Sequence, residues 1–237
     1  MGVRRCGKST LLKLFTDELR RLKIPNKNII HINFESMKYR NITDCNIFYD
    51  YIADHIPEKG KAYLLIDEPQ NVVGWEKAVN SFKVDFDCDI YITGSNARLL
   101  SSEFSTLISG RYVEIELYPL SYKEYLDFHD IEKNDQTFQA YLKYGGVPSI
   151  VELGDNVDRI NDVLDGIYNT VIIKDVIAKS KIKDAELLQK IVAFLADNIG
   201  NSTSANSIAN SLVSEKRIEN TKKSPAASTV ENYIGAL

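Results

Sequence analysis

Apolar residues in the stretch 9–22 (STLLKLFTDELRRL) fall at Leu11, Leu12, Phe15, Leu19 and Leu22, a spacing that predicts an amphipathic helix. The run NIIHINF at 28–34 has strand character. TDCNIFYDYIADHI then reads as a helix capped by Thr43. AYLLIDE is a compact apolar run that ends in two acids. Residues 75–84 read as a helix, DIYITGS at 89–95 as a strand, 97–108 as a helix and RYVEIEL at 111–117 as one more strand. Strands alternate with helices up to about residue 117, which argues for a parallel sheet wrapped by helices.

After Pro119 the pattern turns helical, over 121–129, 135–144, 157–177 and 184–198. YGGVP at 144–148 is a breaker and reads as a hinge between helical pieces. The last sixty residues predict a small helical module. Leu187, Leu188, Ile191, Val192 and Leu195 form one face, and Ile208, Ala209 and Leu212 a second. Ser228 and Glu231 suit a capping box for a third helix, with Val230, Tyr233, Ile234 and Leu237 inward. Three such helices suit a helix-turn-helix core. The expected division is a sheet domain over 1–120, a helical lid or linker over 121–178 and the small module over 179–237.

Charge supports that division. The chain carries −4 overall, with 8 Lys+Arg against 6 Asp+Glu in residues 179–237 and so −6 in the remainder. An acidic body with a mildly basic tail fits separate modules and excludes a bulk nucleic-acid binder. No apolar run suits a membrane span or a signal peptide. Cys6, Cys45 and Cys88 are odd in number and far apart, which fits a reducing cytosol without disulfides. His31, His55 and His129 are scattered and do not form a zinc set.

The chemistry begins at GVRRCGKS, residues 2–9, which satisfies G-x-x-x-x-G-K-[ST]. Gly2 and Gly7 permit a backbone that turns the N–H groups of Val3, Arg4, Arg5, Cys6 and Gly7 toward a phosphate. Lys8 supplies a charge for the β- and γ-phosphates, Ser9 a magnesium ligand, and Ser9 and Thr10 open a helix whose positive end favours the anion. Cys6, inside the loop, reads either as a small buried filler or as a redox-sensitive thiol. In YLLIDE, Asp67 would hold Mg²⁺ through water and Glu68 would polarise an attacking water, so hydrolysis of ATP is expected rather than binding alone. Thr93, Ser95 or Asn96 could contact the γ-phosphate or that water. Arg111 is the candidate arginine finger, in cis or in trans, with Arg98 the weaker one. Glu35 reads as a site or surface acid, and Trp75 as core.

GVRRCGKST, LLIDEPQNV, ITGSNARLLSSEFSTLISGRYVEIELYPLSYKEYL and YGGVPSIVEL resemble a family of prokaryotic AAA-type ATPases. In that family a P-loop ATPase domain leads into a winged helix and a C-terminal nuclease-like domain of unknown function. The resemblance implies an α/β P-loop NTPase fold: a three-layer parallel sheet, an α-helical region and a partial winged helix. It also implies Lys8, Ser9, Asp67 and Glu68 in the roles above, Ser95 or Asn96 as sensor and Arg111 as finger. SANSIANSL and STVENYIGAL become winged-helix helices. Family members carry an apolar strand just before the first glycine, which would lie between the strands at 89–93 and 111–117. Its absence here predicts a sheet lacking its first strand, and with the missing wing it reads as a fragment that binds nucleotide weakly or folds poorly. The expected function is Mg-dependent ATP hydrolysis coupled to the C-terminal module, in a cytoplasmic protein. The alternative is a DNA-binding regulator switched by ATP, meeting phosphates through Lys216, Arg217, Lys222 and Lys223. A homo-oligomer is a further candidate assembly.

Overall fold

AYLLIDE forms the middle strand of a sheet. Strand β2 (Ala62–Asp67) pairs in parallel with β1 (Ile29–Asn33) on one side and β3 (Cys88–Thr93) on the other. A parallel strand covered on both faces needs apolar side chains at consecutive positions, and Leu64, Leu65 and Ile66 are fully buried. Leu64 and Ile66 join the larger cluster with Phe48 and Ile52 of α2 (Cys45–His55) and Ala78, Val79 and Phe82 of α3 (Trp75–Asp85). Leu65 meets Leu12 and Leu19 of α1 (Lys8–Arg21) in a second cluster. Successive side chains thus serve opposite faces, giving three layers with the sheet between helices. Trp75 is core, as expected.

The computed structural model describes residues 2, 5–94, 112–151, 153, 156–170, 176–177, 182–214 and 225–237. Two units emerge, Met1–Gly154 and Asp155–Leu237.

Several local expectations need correction. Helix α2 is capped by Asp44, whose Oδ1 accepts from the backbone N–H groups of Asn46 (2.8 Å) and Ile47 (3.2 Å). Thr43 instead gives its carbonyl to the Val73 N–H, and the carboxylate next to it answers the positive helix end better. The strand expected over 111–117 does not form among its described residues. Residues 112–116 join no ladder, and Leu117 makes only an isolated parallel bridge with Gly2. The physical reason is that no strand among the described residues lies against it to build a ladder. Between β3 and residues 112–117 lies a cavity of about 600 Å³, and no described segment fills it. Val113 and Ile115 are accordingly exposed, and β3 is only half-buried along its length. Leu11, expected on the buried helix face, lines that cavity, and Leu22 is exposed as well.

Past Pro119, Ser121 and Glu124 form a capping box that starts α4 (Tyr122–His129), and Asn134 and Thr137 form another for α5 (Asp135–Tyr144). YGGVP is fastened rather than loose. A Cβ on Gly146 would lie 2.0 Å from the Leu120 carbonyl oxygen, and the Leu120 N–H donates to the Gly146 carbonyl at 2.7 Å. The short helix α6 (Pro148–Val151) follows.

The second unit contains α7 (Val157–Tyr168), α8 (Ala185–Asp197), α9 (Ala205–Ser214) and α10 (Ala227–Ile234). Leu188, Ile191, Ile208, Leu212 and Val230 are its fully buried centre, so the first two expected faces are correct in outline. The Tyr233 hydroxyl accepts from the Asp184 N–H at 3.3 Å and ties the third of these faces to the first. The expected capping box is absent. Helix α10 begins at Ala227 with Ala226 as its uncapped N-terminal residue, which places Ser228 already inside the first turn. Leu237 lies beyond the helix and is half-exposed.

Candidate functional site

Each strand of the sheet ends in a polar residue, and the register aligns the three. Asn33 pairs with Asp67, and Asp67 with Thr93, in a single row at the C-terminal edge. Asn33 Nδ2 donates to Asp67 Oδ2 at 3.0 Å, and the Thr93 hydroxyl donates to Asp67 Oδ1. The carboxylate is fully buried and gripped from both sides by neutral donors. His31, two residues back on β1, has its pKa pushed down by burial, with the Asp67 charge opposing.

The next residue turns the chain. Glu68 has φ 56 and ψ 47, a left-handed conformation unusual for a non-glycine residue. Pro69 then opens a short 3₁₀ turn, Pro69–Asn71, whose Asn71 N–H returns to the Glu68 carbonyl at 3.3 Å. Glu68 is buried, and the Gln70 side-chain amide donates to its Oε2.

The loop leading into α1 brings its donors to the same edge. Lys8 is buried, lines the cavity beside β3 together with Thr93 and Gly94, and donates to the Gly2 carbonyl at 2.9 Å. Its Nζ lies 3.9 Å from the Cys6 sulfur. Cys6 is buried, as a small filler would be. Helix α1 starts from Gly7 with no side-chain cap and no acid in its first turn, so its N-cap residue offers its leading N–H groups no side-chain acceptor. Ser9 and Thr10 are exposed in that first turn, and Arg5 takes a left-handed φ of 63°. The two glycines serve different needs. Gly7 sits at φ 97° with open space around it, whereas a Cβ on Gly2 would lie 2.2 Å from the Leu117 carbonyl oxygen.

These features suit a phosphate. An uncapped 14-residue helix with a buried ammonium at its mouth supplies both donors and charge. They also suit magnesium, within limits. Among the described residues no cluster of three or more His, Cys, Asp or Glu could hold a metal alone. An ion at Asp67 and Ser9 would draw its remaining ligands from phosphate oxygens and water, the usual arrangement for Mg²⁺. The cavity itself is lined mainly by Leu11, Leu12, Ile90, Ile92, Val113 and Ile115, so it is a gap in the sheet that touches the polar edge only at its end.

The remaining expected residues divide clearly. Glu35 is exposed, and its N–H donates to Asn33 Oδ1 at 2.7 Å. Val3, Arg4, Ser95, Asn96, Arg98 and Arg111 lie outside the described residues, as do Lys216, Arg217, Lys222 and Lys223. Asn33 and Gln70 are site residues that the motifs do not point to. Asn33 carries a signal all the same, since it closes an apolar strand just as Asp67 and Thr93 do.

A family model described as an AAA domain matches residues 1–126. The chain belongs to the AAA domain family. That membership makes it a nucleotide-binding, ATPase-like chain with an α/β fold compatible with the sheet seen here. A second model, a domain of unknown function, matches residues 135–237 of the same AAA-family chain. Among curated proteins it is similar to an uncharacterised protein of Haemophilus influenzae, 42% identical over 220 residues, covering 91% of this chain and 54% of the relative. An uncharacterised protein of Methanocaldococcus jannaschii is 30% identical over 229 residues, covering 89% of this chain and 48% of the relative. The chain thus spans about half the length of these relatives. No helix among the described residues is long and apolar enough to cross a membrane.

Proposed function

We propose that this protein binds ATP with magnesium at the C-terminal edge of its sheet and hydrolyses it. The reading is supported by the in-register row Asn33–Asp67–Thr93 together with a buried Lys8 that lines the same cavity as Thr93 at the uncapped start of α1. Lys8 would leave the Gly2 carbonyl for the β- and γ-phosphate oxygens. The loop from Gly2 to Gly7 and the first N–H groups of α1 would cradle the rest. Ser9 and Asp67 would hold Mg²⁺, which when bound neutralises charge on the phosphates. Asn33 and Thr93 keep Asp67 oriented for that role.

Glu68 accepts a proton from the attacking water as the oxygen bonds to the γ-phosphorus and the bond to the ADP oxygen breaks. Products are ADP and phosphate, and the proton passes to solvent or phosphate. Ser95 or Asn96 would contact the γ-phosphate, and Arg111 would offset its charge. The released energy would drive a conformational change of the C-terminal helices, read as a partial winged helix.

The test is titration with a fluorescent ATP analogue, with magnesium and with EDTA, alongside phosphate release. Magnesium-dependent binding and turnover are expected, with Lys8→Ala weakening binding at least tenfold. Equal binding by the parent and Lys8→Ala, or none by the parent, would defeat the proposal.

A further inference from the structure

We propose that Gln70 is the positioning residue of Glu68, holding one carboxylate oxygen so that the group faces the attacking water. The inference rests on the ATP-hydrolysis reading above and deepens it. Three observations converge. The Gln70 amide N–H₂ donates to Glu68 Oε2 across a single intervening residue. The left-handed turn at Glu68 and the Pro69–Asn71 3₁₀ turn bring the two side chains together. The turn itself is tied down, since the Val72 N–H returns to the Pro69 carbonyl at 2.9 Å and Asn71 Nδ2 reaches the Phe34 carbonyl at 3.4 Å.

The third observation concerns the far end of the amide. A carboxylate only accepts, so the N–H₂ end must face Glu68 and the oxygen must face away. That oxygen, Gln70 Oε1, is buried and has no hydrogen-bond partner among the described residues. Natural chains leave few such atoms, and each calls for an explanation. The side chain therefore spends its one hydrogen bond among the described residues on Glu68 through the N–H₂ end, and none on its own oxygen. Gln70 then acts in hydrolysis and not in nucleotide binding, because its amide holds the acid that meets the water and not the groups that meet the phosphates.

The experiment compares the parent with Gln70→Ala, Gln70→Glu and Glu68→Gln in the full chain. It measures MgATP affinity by titration, single-turnover hydrolysis, and folding from Trp75 fluorescence. Gln70→Ala is expected to slow hydrolysis about 10- to 100-fold, as loss of a supporting partner does elsewhere. MgATP affinity should stay within about twofold of the parent. Gln70→Glu, of equal size but with no donor and a like charge, should be slower still. Hydrolysis at the parent rate in Gln70→Ala overturns the proposal, as does a matched loss of affinity and rate, which would indicate loop damage. If Glu68→Gln itself hydrolyses at the parent rate, or the parent turns over no MgATP, the underlying reading fails and this one with it.

Discussion

Asp67 offers the sharpest test of how the site is built, because two substitutions there should separate stability from function. The buried carboxylate accepts from Asn33 Nδ2 and from the Thr93 hydroxyl. Asp67→Ala removes the acceptor and strands both donors. Each unsatisfied buried donor costs about 1–3 kcal/mol, and both bonds are only partly buried, so the low end applies and the sum is about 2 kcal/mol. Asp67→Asn keeps the shape. Its amide oxygen takes the Asn33 bond, and its N–H₂ donates to the Thr93 hydroxyl, which rotates to accept. Two charge-assisted bonds become ordinary ones, but a buried charge is also relieved, so the net change should stay within about 1 kcal/mol. Asp67→Ala should therefore be less stable than Asp67→Asn by about 2 kcal/mol, while both lose magnesium-dependent nucleotide binding. Trp75 is the single tryptophan and is buried in the core of the first unit, so urea titration followed by its fluorescence reads that unit. Equal stability of the two variants would refute the claim that Asn33 and Thr93 depend on Asp67.

Two further outcomes follow from the same geometry. Gly7→Ala should cost about 1–2 kcal/mol through its φ alone, and Gly7→Asn should recover part of that. Gly2→Ala and Gly2→Asn should be equally damaging, because any Cβ meets the Leu117 carbonyl and the Cys6 sulfur. Urea midpoints of the four variants decide between the two mechanisms, and recovery by Asn at position 2 would contradict the clash. Burial lowers the pKa of His31, so the unfolded chain binds its proton more readily than the folded one. Its contribution to stability is present above about pH 6.5, the usual histidine value, and is lost as pH falls through the lowered folded value. His31→Gln should flatten the pH dependence of the urea midpoint below about pH 6.5. Parallel profiles for parent and variant would exclude His31 as the source.

Features that depend on near neighbours in the chain are legible in the sequence. Leu64, Leu65 and Ile66 announce a strand buried on both faces, and Asp67 and Glu68 mark its polar end. The helix after Gly7 is fixed by local spacing. The departures concern pairing at a distance or the choice between adjacent residues. Thr43 and Asp44 are both good caps, and the carboxylate of Asp44 takes the role while the Thr43 backbone is engaged with Val73. Val113, Ile115 and Leu117 alternate as a strand should, yet alternation describes a surface and not its partner. Across the cavity beside β3 that surface builds no strand ladder among the described residues, only the one bridge at Gly2.

The same distinction explains why two site residues escape the motifs. Asn33 is an ordinary polar strand end until the register sets it beside Asp67, 34 residues away in the chain. Gln70 is a loop residue until the backbone of Glu68 turns left-handed and folds the two side chains together. Both support an acid that the motif itself displays. The motif therefore names the groups that would meet the nucleotide, while the fold selects those that hold them still. Since holding requires only a donor at the right distance, the sequence marks such residues faintly: Asn33 only as the polar end of an apolar strand, and Gln70 not at all. The two grips also predict different tolerance. Asp67 is held from two separate strands, so Asn33→Ala leaves the Thr93 hydroxyl in place and magnesium affinity should fall only a fewfold. Gln70 supports the acid that meets the water, so its loss should slow hydrolysis by the roughly 10- to 100-fold expected for a supporting partner, more than Asn33→Ala weakens magnesium binding. Comparing magnesium affinity in Asn33→Ala with hydrolysis in Gln70→Ala tests that ordering, and a larger effect at Asn33 would reverse it.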